Sequence, residues 1–143
     1  MILLDTNVLS EVLRPLPNPA VERWLDSQPD ASLFTSAITE AELYQGVALM
    51  PLGRRRTALA VAIGNILADD FTGRILPFDS PAAAAFAEVI ASRRRAGRPI
   101  SQSDAQIAAI ARSRGAALAT RNVRDFDGCG ITVINPWTAA GRD

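Results

Sequence analysis

The chain has 143 residues, 48% of them hydrophobic and 21% charged, and fifteen basic side chains balance fifteen acidic ones. That length suits one domain spanning 1–143, able to bury roughly 68% of the surface its unfolded form exposes. The composition is that of a folded globular protein, and the zero net charge singles out no nucleic-acid partner. Every basic residue is arginine, and there is neither lysine nor histidine. This excludes Ser-His-Asp and Cys-His nucleophiles, histidine-based RNA cleavage and a lysine-bearing phosphate loop. Cys129 stands alone in a Gly-Cys-Gly turn, which excludes a disulfide framework and a thiolate zinc site and reads as packing. No apolar run reaches the ~18 residues of a membrane span, and no basic segment precedes the first apolar run. The expectation is a cytoplasmic protein whose chemistry must come from carboxylates, hydroxyls, arginine or a bound metal.

In chain order, Ile2-Leu3-Leu4 is a short apolar run that meets Asp5-Thr6-Asn7, the pattern of a buried parallel strand ending in a polar turn. Helical spacing follows from Val8 to about Arg14 and is stopped by Pro15 and Pro17. Asn18 caps a second helix with Val21, Trp24 and Leu25 on one face. Residues 33–38 form a second strand candidate, and Thr39 begins a helix through about Met50. A long helical pattern runs from about Arg54 to Phe71 and ends at Gly73. Residues 74–79 form a third strand, in which Pro77 predicts an edge position. Ser80-Pro81 opens a helix to Arg95, closed by Gly97 and Pro99, and a further helix runs from about Ser103 to Arg114 before Gly115. Residues 117–120 and 131–134 complete the strands. Alternation at this spacing predicts an α/β fold with a mainly parallel central sheet flanked by helices. Ligands of such sheets bind beyond the carboxyl ends of the strands, where Asp5 and the Thr120-Arg121-Asn122 turn fall.

Three acids lie just after a strand or early in a helix: Asp5, Glu42 and Asp104. Thr39-Glu40-Ala41-Glu42 matches a capping box, with Glu42 reaching back to the Thr39 amide, and Ser101-Gln102-Ser103-Asp104 offers the same pattern. Singly, Glu42 reads as a cap and Asp104 fits either role. Asp5 differs, because an ionised carboxylate directly behind an apolar strand is unfavourable unless compensated. If the fold gathers all three, their repulsion would be relieved by a hard divalent cation such as Mg²⁺ or Mn²⁺. Their spacing in the chain does not by itself bring them together.

The opening Met1-Ile2-Leu3-Leu4-Asp5-Thr6-Asn7-Val8-Leu9-Ser10-Glu11 resembles the start of VapC-type and Fit-type PIN-domain toxins. Residues 36–43, 73–79, 103–109 and 119–122 agree with that family in order and spacing, as does the closing Asn135-Pro136-Trp137. The resemblance spans nearly the whole chain. It implies a PIN-like fold and metal-binding catalytic acids at Asp5, Glu42 and Asp104, with Asn7 and Thr39 orienting their carboxylates by hydrogen bonds. Fit-type relatives carry an acid at the position of Asn122, whereas many VapC-type chains carry Asn there and Asp three residues later. This chain has Asn122 and Asp125, so the fourth position stands open between Asn122 and a water-mediated Asp125.

The implied activity is Mg²⁺-dependent hydrolysis of RNA phosphodiester bonds, with Mn²⁺ as a possible substitute. The implied setting is a toxin–antitoxin pair: a homodimer bound by a small DNA-binding antitoxin. For RNA, Arg93, Arg94, Arg95 and Arg98 near a helix end, and Arg121 and Arg124 after a strand, are candidates; the first group equally suits a helix C-terminus. Arg54, Arg55 and Arg56 open a helix, where the dipole disfavours them and a contact surface is hinted. Trp24 and Trp137 read as packing. A regulatory module that binds a DNA-binding partner with weak or no nuclease activity is the alternative. An aspartyl-phosphate phosphatase is rejected, because Asn7 stands where a second acid is needed and no lysine exists to hold phosphate.

Overall fold

A computed structural model describes residues 1–139. Five strands, β1 (Ile2–Leu4), β2 (Leu33–Ser36), β3 (Ile75–Leu76), β4 (Ala117–Ala119) and β5 (Val133–Ile134), form one sheet in the order β3-β2-β1-β4-β5. Every neighbouring pair is parallel. Seven α-helices connect and cover them: α1 (Thr6–Val12), α2 (Pro19–Asp26), α3 (Ala37–Ala48), α4 (Arg54–Asn65), α5 (Ser80–Arg95), α6 (Gln102–Arg114) and α7 (Pro136–Ala139). The expected α/β class with a parallel sheet holds, and β3 lies at the edge, ending just before Pro77.

Successive side chains of a strand face opposite sides of the sheet. Leu3 and Leu118 accordingly enter one apolar cluster, with Val89 of α5, the Ala105–Ala111 face of α6, Phe126 and Cys129. Leu4 and Ala119 enter the other, with Val8, Leu9, Val21, Trp24, Leu43, Ile63 and Leu67. A sheet covered on both faces explains why β1 reads as a continuous apolar run rather than an alternating one. Trp24 and Cys129 are packing residues, as expected. Among the described residues no helix is long and apolar enough to cross a membrane.

Local signals set most boundaries. Asn18 caps α2 by accepting from the Ala20 amide, and Asp79 caps α5 by accepting from the Ala82 amide. Gly115 ends α6 at φ 64°, a left-handed conformation that glycine adopts without strain. The strands are shorter than expected, the one read over 74–79 being only Ile75–Leu76, and three helix boundaries differ for a local reason. α1 starts at Thr6 rather than Val8, because Asp5 is its cap. α3 starts at Ala37 rather than Thr39, because the Ser36 hydroxyl takes the Thr39 amide at 3.1 Å. The helix after Arg54 is regular only to Asn65 and widens into a π turn over Ile66–Asp70.

The structure also corrects Arg93 as a residue for RNA. It is 5% exposed, and its guanidinium donates to the carbonyls of Arg98 at 2.6 Å, Asp125 at 2.7 Å and Asp127 at 2.8 Å. Those carbonyls belong to the exit of α5 and to the 123–127 turn, which folds over the helix end. Arg93 therefore staples two loops, and its burial withdraws it from the surface that a phosphate chain would touch. Arg93→Met should lower unfolding stability by about 2–4 kcal/mol, since buried carbonyls lose their donors. The exposed Arg94→Ala should change it by less than about 0.5 kcal/mol. Urea denaturation of the two variants checks this; equal midpoints would mean the staple carries no stability.

Candidate active site

The strand register places the site. The β1–β4 ladder pairs Leu4 with Ala119, so the next residues of each chain, Asp5 and Thr120, lie side by side beyond the last rung. Both are buried, at 5% and 0% exposure. The Asp5 amide still donates to the Ala119 carbonyl at 2.9 Å, and the Thr120 amide to that of Ile134 at 2.9 Å, so sheet hydrogen bonding fixes both. The chain reverses direction across the sheet at this point, with β2 and β3 to one side of β1 and β4 and β5 to the other. Crevices at such switch points are where parallel sheets bind ligands.

Asp5 is held on every side. Its Oδ1 accepts from the Thr6 amide at 2.8 Å, and its Oδ2 accepts from the Thr120 hydroxyl at 2.8 Å and from Asn7 Nδ2 at 3.3 Å. Asn7 in turn contacts Thr120 Oγ1 at 3.2 Å, while its own Oδ1 accepts from the Arg121 amide at 3.2 Å. Burial nonetheless dominates. The Asp5 pKa rises from its ordinary 3.8 to about 6; the hydrogen bonds from Thr120 and Thr6 oppose the rise, and the charges of Asp104 and Glu42 add to it.

Glu42 comes from the second turn of α3. Its Oε1 accepts from the Thr6 hydroxyl at 2.7 Å, and that hydroxyl lies 3.1 Å from Thr39 Oγ1. The capping-box reading of Glu42 is overturned, since Ser36 serves the Thr39 amide and Glu42 faces α1 instead. Asp104 sits in the first turn of α6, where Ser101 accepts from its amide at 3.3 Å. Its carboxyl also holds its proton above the ordinary range, first through burial, with Asp125 and Glu42 raising it further and Ser101 and Arg93 opposing.

These three acids, remote in sequence, line one pocket of about 510 Å³ that also includes Thr6, Asn7, Asn122 and Arg121. Asp125 is exposed and lies outside the pocket, although its charge reaches Asp104. The Asn122 amide donates to Thr120 Oγ1 at 3.1 Å, so Asn122 belongs to the turn that presents Thr120. Thr39 is fully buried and supports Glu42 through Thr6. Of the six arginines considered for RNA, Arg121 is the one that lines the pocket. Arg98 pairs with Asp127 at 2.6 Å on the surface, its guanidinium also reaching the Arg124 carbonyl, and Arg94 and Arg124 are exposed elsewhere.

Several residues of the site take roles that the sequence did not assign. Thr120 and Thr6 are the hydroxyls that orient Asp5 and Glu42; a threonine directly after a strand that pairs with β1 was the available signal. Glu11, 6% exposed, accepts from the Asn18 amide at 3.0 Å and from Arg14 at 3.3 Å, fixing the corner between α1 and α2. Trp137, expected only to pack, does pack against the second apolar cluster and also faces the pocket.

The side chains lining the pocket include no histidine or cysteine, so the metal-ligating atoms they offer are oxygens, the type that hard divalent cations take. Among the described residues no three acids stand as a preformed coordination cluster. One oxygen of Glu42 and both of Asp5 already carry hydrogen bonds. The residues therefore fit an ion held by few carboxylates that keeps much of its own water, as Mg²⁺ does.

A family profile described as PIN domain matches residues 2–128. The chain belongs to the PIN-domain family. It is similar to VapC ribonuclease Y4jK of Sinorhizobium fredii (strain NBRC 101917 / NGR234), 41% identical over 140 residues that cover 98% of this chain and 100% of that protein. It is also similar to toxin FitB of Neisseria gonorrhoeae (strain ATCC 700825 / FA 1090), 44% identical over 137 residues covering 96% and 99%. Among solved structures, FitAB bound to an IR36 DNA fragment superposes with a TM-score of 0.89 at 43% identity, over 96% of each chain.

The raised Asp5 pKa has a consequence for this PIN domain without metal. The folded state keeps the Asp5 proton up to about pH 6, whereas the unfolded chain releases it near 3.8. The associated stability is complete below about pH 3.8 and is lost as pH rises through about 6. In EDTA, stability of the wild type relative to Asp5→Asn should fall by about 2–3 kcal/mol between pH 4 and pH 7. Urea midpoints of both proteins across that range check it; a pH-independent difference would put Asp5 in an ordinary environment.

Proposed function

We propose that this protein is a divalent-metal-dependent endoribonuclease acting as the toxin of a toxin–antitoxin pair in the cytoplasm. The observation that carries the reading is the convergence of Asp5, Glu42 and Asp104 on one pocket at the carboxyl ends of β1 and β4 in a PIN domain. Ribonuclease and toxin are the names borne by similar proteins across nearly the full length of this chain.

In this reading Asp5, Glu42 and Asp104 hold Mg²⁺, with Mn²⁺ able to replace it. When bound, such an ion supplies a water of lowered pKa and positive charge beside the phosphate. The protein's own part is orientation. Thr120, Asn7 and the Thr6 amide fix the Asp5 carboxylate, and Thr6, backed by Thr39, fixes that of Glu42. Asp125 adds negative charge near Asp104 and acts on the ion through water, whereas the Asn122 amide cannot neutralise a cation and serves to shape the turn.

Beside the acids runs a second, apolar groove of about 600 Å³ between α1, α3 and α4, lined by Leu13, Leu43, Val47, Met50, Leu59 and Ile63. It shares Thr6, Ser10, Arg14 and Glu42 with the acidic pocket. A protein segment seated there would adjoin the catalytic carboxylates. We assign the groove to the antitoxin, a DNA-binding protein by analogy with FitAB, whose complex was solved on DNA.

Purified protein should cleave single-stranded RNA with Mg²⁺ or Mn²⁺ and not with EDTA. Asp5→Asn and Asp104→Asn should each reduce cleavage by more than about 100-fold while remaining folded, and Asp125→Ala should raise the Mg²⁺ requirement by about 10-fold. Asn122→Ala should cost less. Full activity of either Asn variant would overturn the site. Absence of cleavage with antitoxin binding intact would instead leave a regulatory binding module.

The isolated protein should also be a homodimer at micromolar concentration, and its complex with the antitoxin should be larger. The exposed Tyr44 on α3 and Leu49 at its C-cap, at 51% and 77%, make that segment more apolar than one buried stripe requires. Light scattering decides this; a strict monomer both alone and with the antitoxin would refute it.

A further inference from the structure

The acidic pocket has a wall that the metal chemistry leaves unused. Arg121 and Trp137 both line it, and the Arg121 guanidinium carbon lies 5.2 Å from the centroid of the Trp137 ring. The placement is built from both sides. Arg121 directly follows Thr120, and its amide donates to Asn7, which in turn donates to Asp5, so the arginine backbone is tied to the acid network. Trp137 lies in α7, where its amide donates to Asn135 Oδ1 at 2.9 Å and its ring leans on the second apolar cluster. Among the described residues Arg121 forms no salt bridge, although four carboxylates, those of Asp5, Glu11, Glu42 and Asp104, share its pocket. A cation stacked on an indole at the rim of a carboxylate site presents a flat, positively charged surface rather than a point charge.

We propose that Arg121 and Trp137 form the seat for one unpaired nucleobase adjoining the phosphate held at the acids. The base stacks on the guanidinium plane that Trp137 supports, and the guanidinium edge faces the neighbouring phosphate. This inference rests on the nuclease reading and goes beyond it: the pair determines which nucleotides reach the acids. Bases are available for such stacking only where RNA is single-stranded, since a duplex keeps them paired and stacked. Discrimination against duplex therefore originates at this wall, some distance from the carboxylates that do the chemistry.

The test begins with the wild-type protein, a short single-stranded oligoribonucleotide and Mg²⁺. No cleavage here sinks the nuclease reading itself. With cleavage established, Arg121→Met and Trp137→Leu should each raise KM by about 10- to 100-fold, the loss expected for one stacked base, with kcat changed by less than about 3-fold. Arg121 is exposed, so its variant keeps the question open should Trp137→Leu unfold. Arg121→Lys keeps the charge without the plane and should not restore KM.

A second readout needs no turnover. In protein labelled with 5-fluorotryptophan and kept in EDTA, single-stranded RNA should shift the Trp137 ¹⁹F resonance and leave that of buried Trp24 in place. The same strand as a duplex, and inorganic polyphosphate, should not shift it. Wild-type KM in both variants would overturn the proposal. So would an equal shift with polyphosphate, which would make Arg121 a plain phosphate contact. A shift with the antitoxin but none with RNA would give the pair to the protein partner and equally overturn it.

Discussion

Everything at this site follows from one buried carboxylate at the end of an apolar strand. Asp5 is 5% exposed and sits where the chain leaves β1, between two apolar clusters that cover both faces of the sheet. Removing a carboxylate from water is unfavourable by several kcal/mol unless donors replace the lost hydration. Three donors do so in part: the Thr6 amide, the Thr120 hydroxyl and the Asn7 amide. The remaining imbalance appears as a pKa near 6. Neutral pH therefore leaves the folded protein with a poorly compensated anion beside two more acids, which is a standing demand for positive charge.

The rest of the architecture can be understood as what holds that charge in place. Parallel strands end together, so one step past the last rung brings Asp5 beside Thr120. The same parallel order requires crossover connections, and helices α3 and α6 begin at that end of the sheet, which is how Glu42 and Asp104 arrive. Their caps, Ser36 and Ser101, settle the first turns by accepting backbone amides, leaving both carboxylates for the pocket. A one-residue slip of β1 against β4 would exchange the two apolar clusters and move Thr120 away from Asp5. Packing and catalysis are thus set by the same register.

How much of this could be read beforehand depended on whether the deciding interaction was local. The apolar β1, the cap at Asn18, the stop at Gly115 and the edge position of β3 all rest on residues a few positions apart, and all are found in the fold. The start of α3 was misplaced because Ser36 and Thr39 are both competent caps, and only the strand register chooses between them. That error assigned Glu42 to a capping box. Arg93 was misread for a different reason: nothing in a helical pattern tells that a turn thirty-odd residues later will lay its carbonyls over the helix end. The meeting of three acids across about a hundred residues was legible only through resemblance to a known family. Local chemistry made them suitable without making them adjacent.

The arginines show how a chain of zero net charge can still handle a polyanion. Several of the fifteen do structural work: Arg93 ties two loops, Arg74 donates to the Asp30 carbonyl at 2.7 Å across to the segment preceding β2, Arg112 pairs with Glu88, and Arg114 with Asp79. With no lysine and no excess of positive charge, the molecule has little overall field to steer RNA from a distance. Whatever holds the substrate must then act at contact range, where planar guanidinium groups give geometry as well as charge. Without a net positive charge to draw RNA in, stacking and shape carry selectivity more than bulk electrostatics. An acidic pocket makes this sharper still, because its own carboxylates repel the phosphate chain that must enter. Cations at its rim, Arg121 over Trp137 and Arg14 beside Glu11, are the side chains placed to offset that repulsion before any metal does.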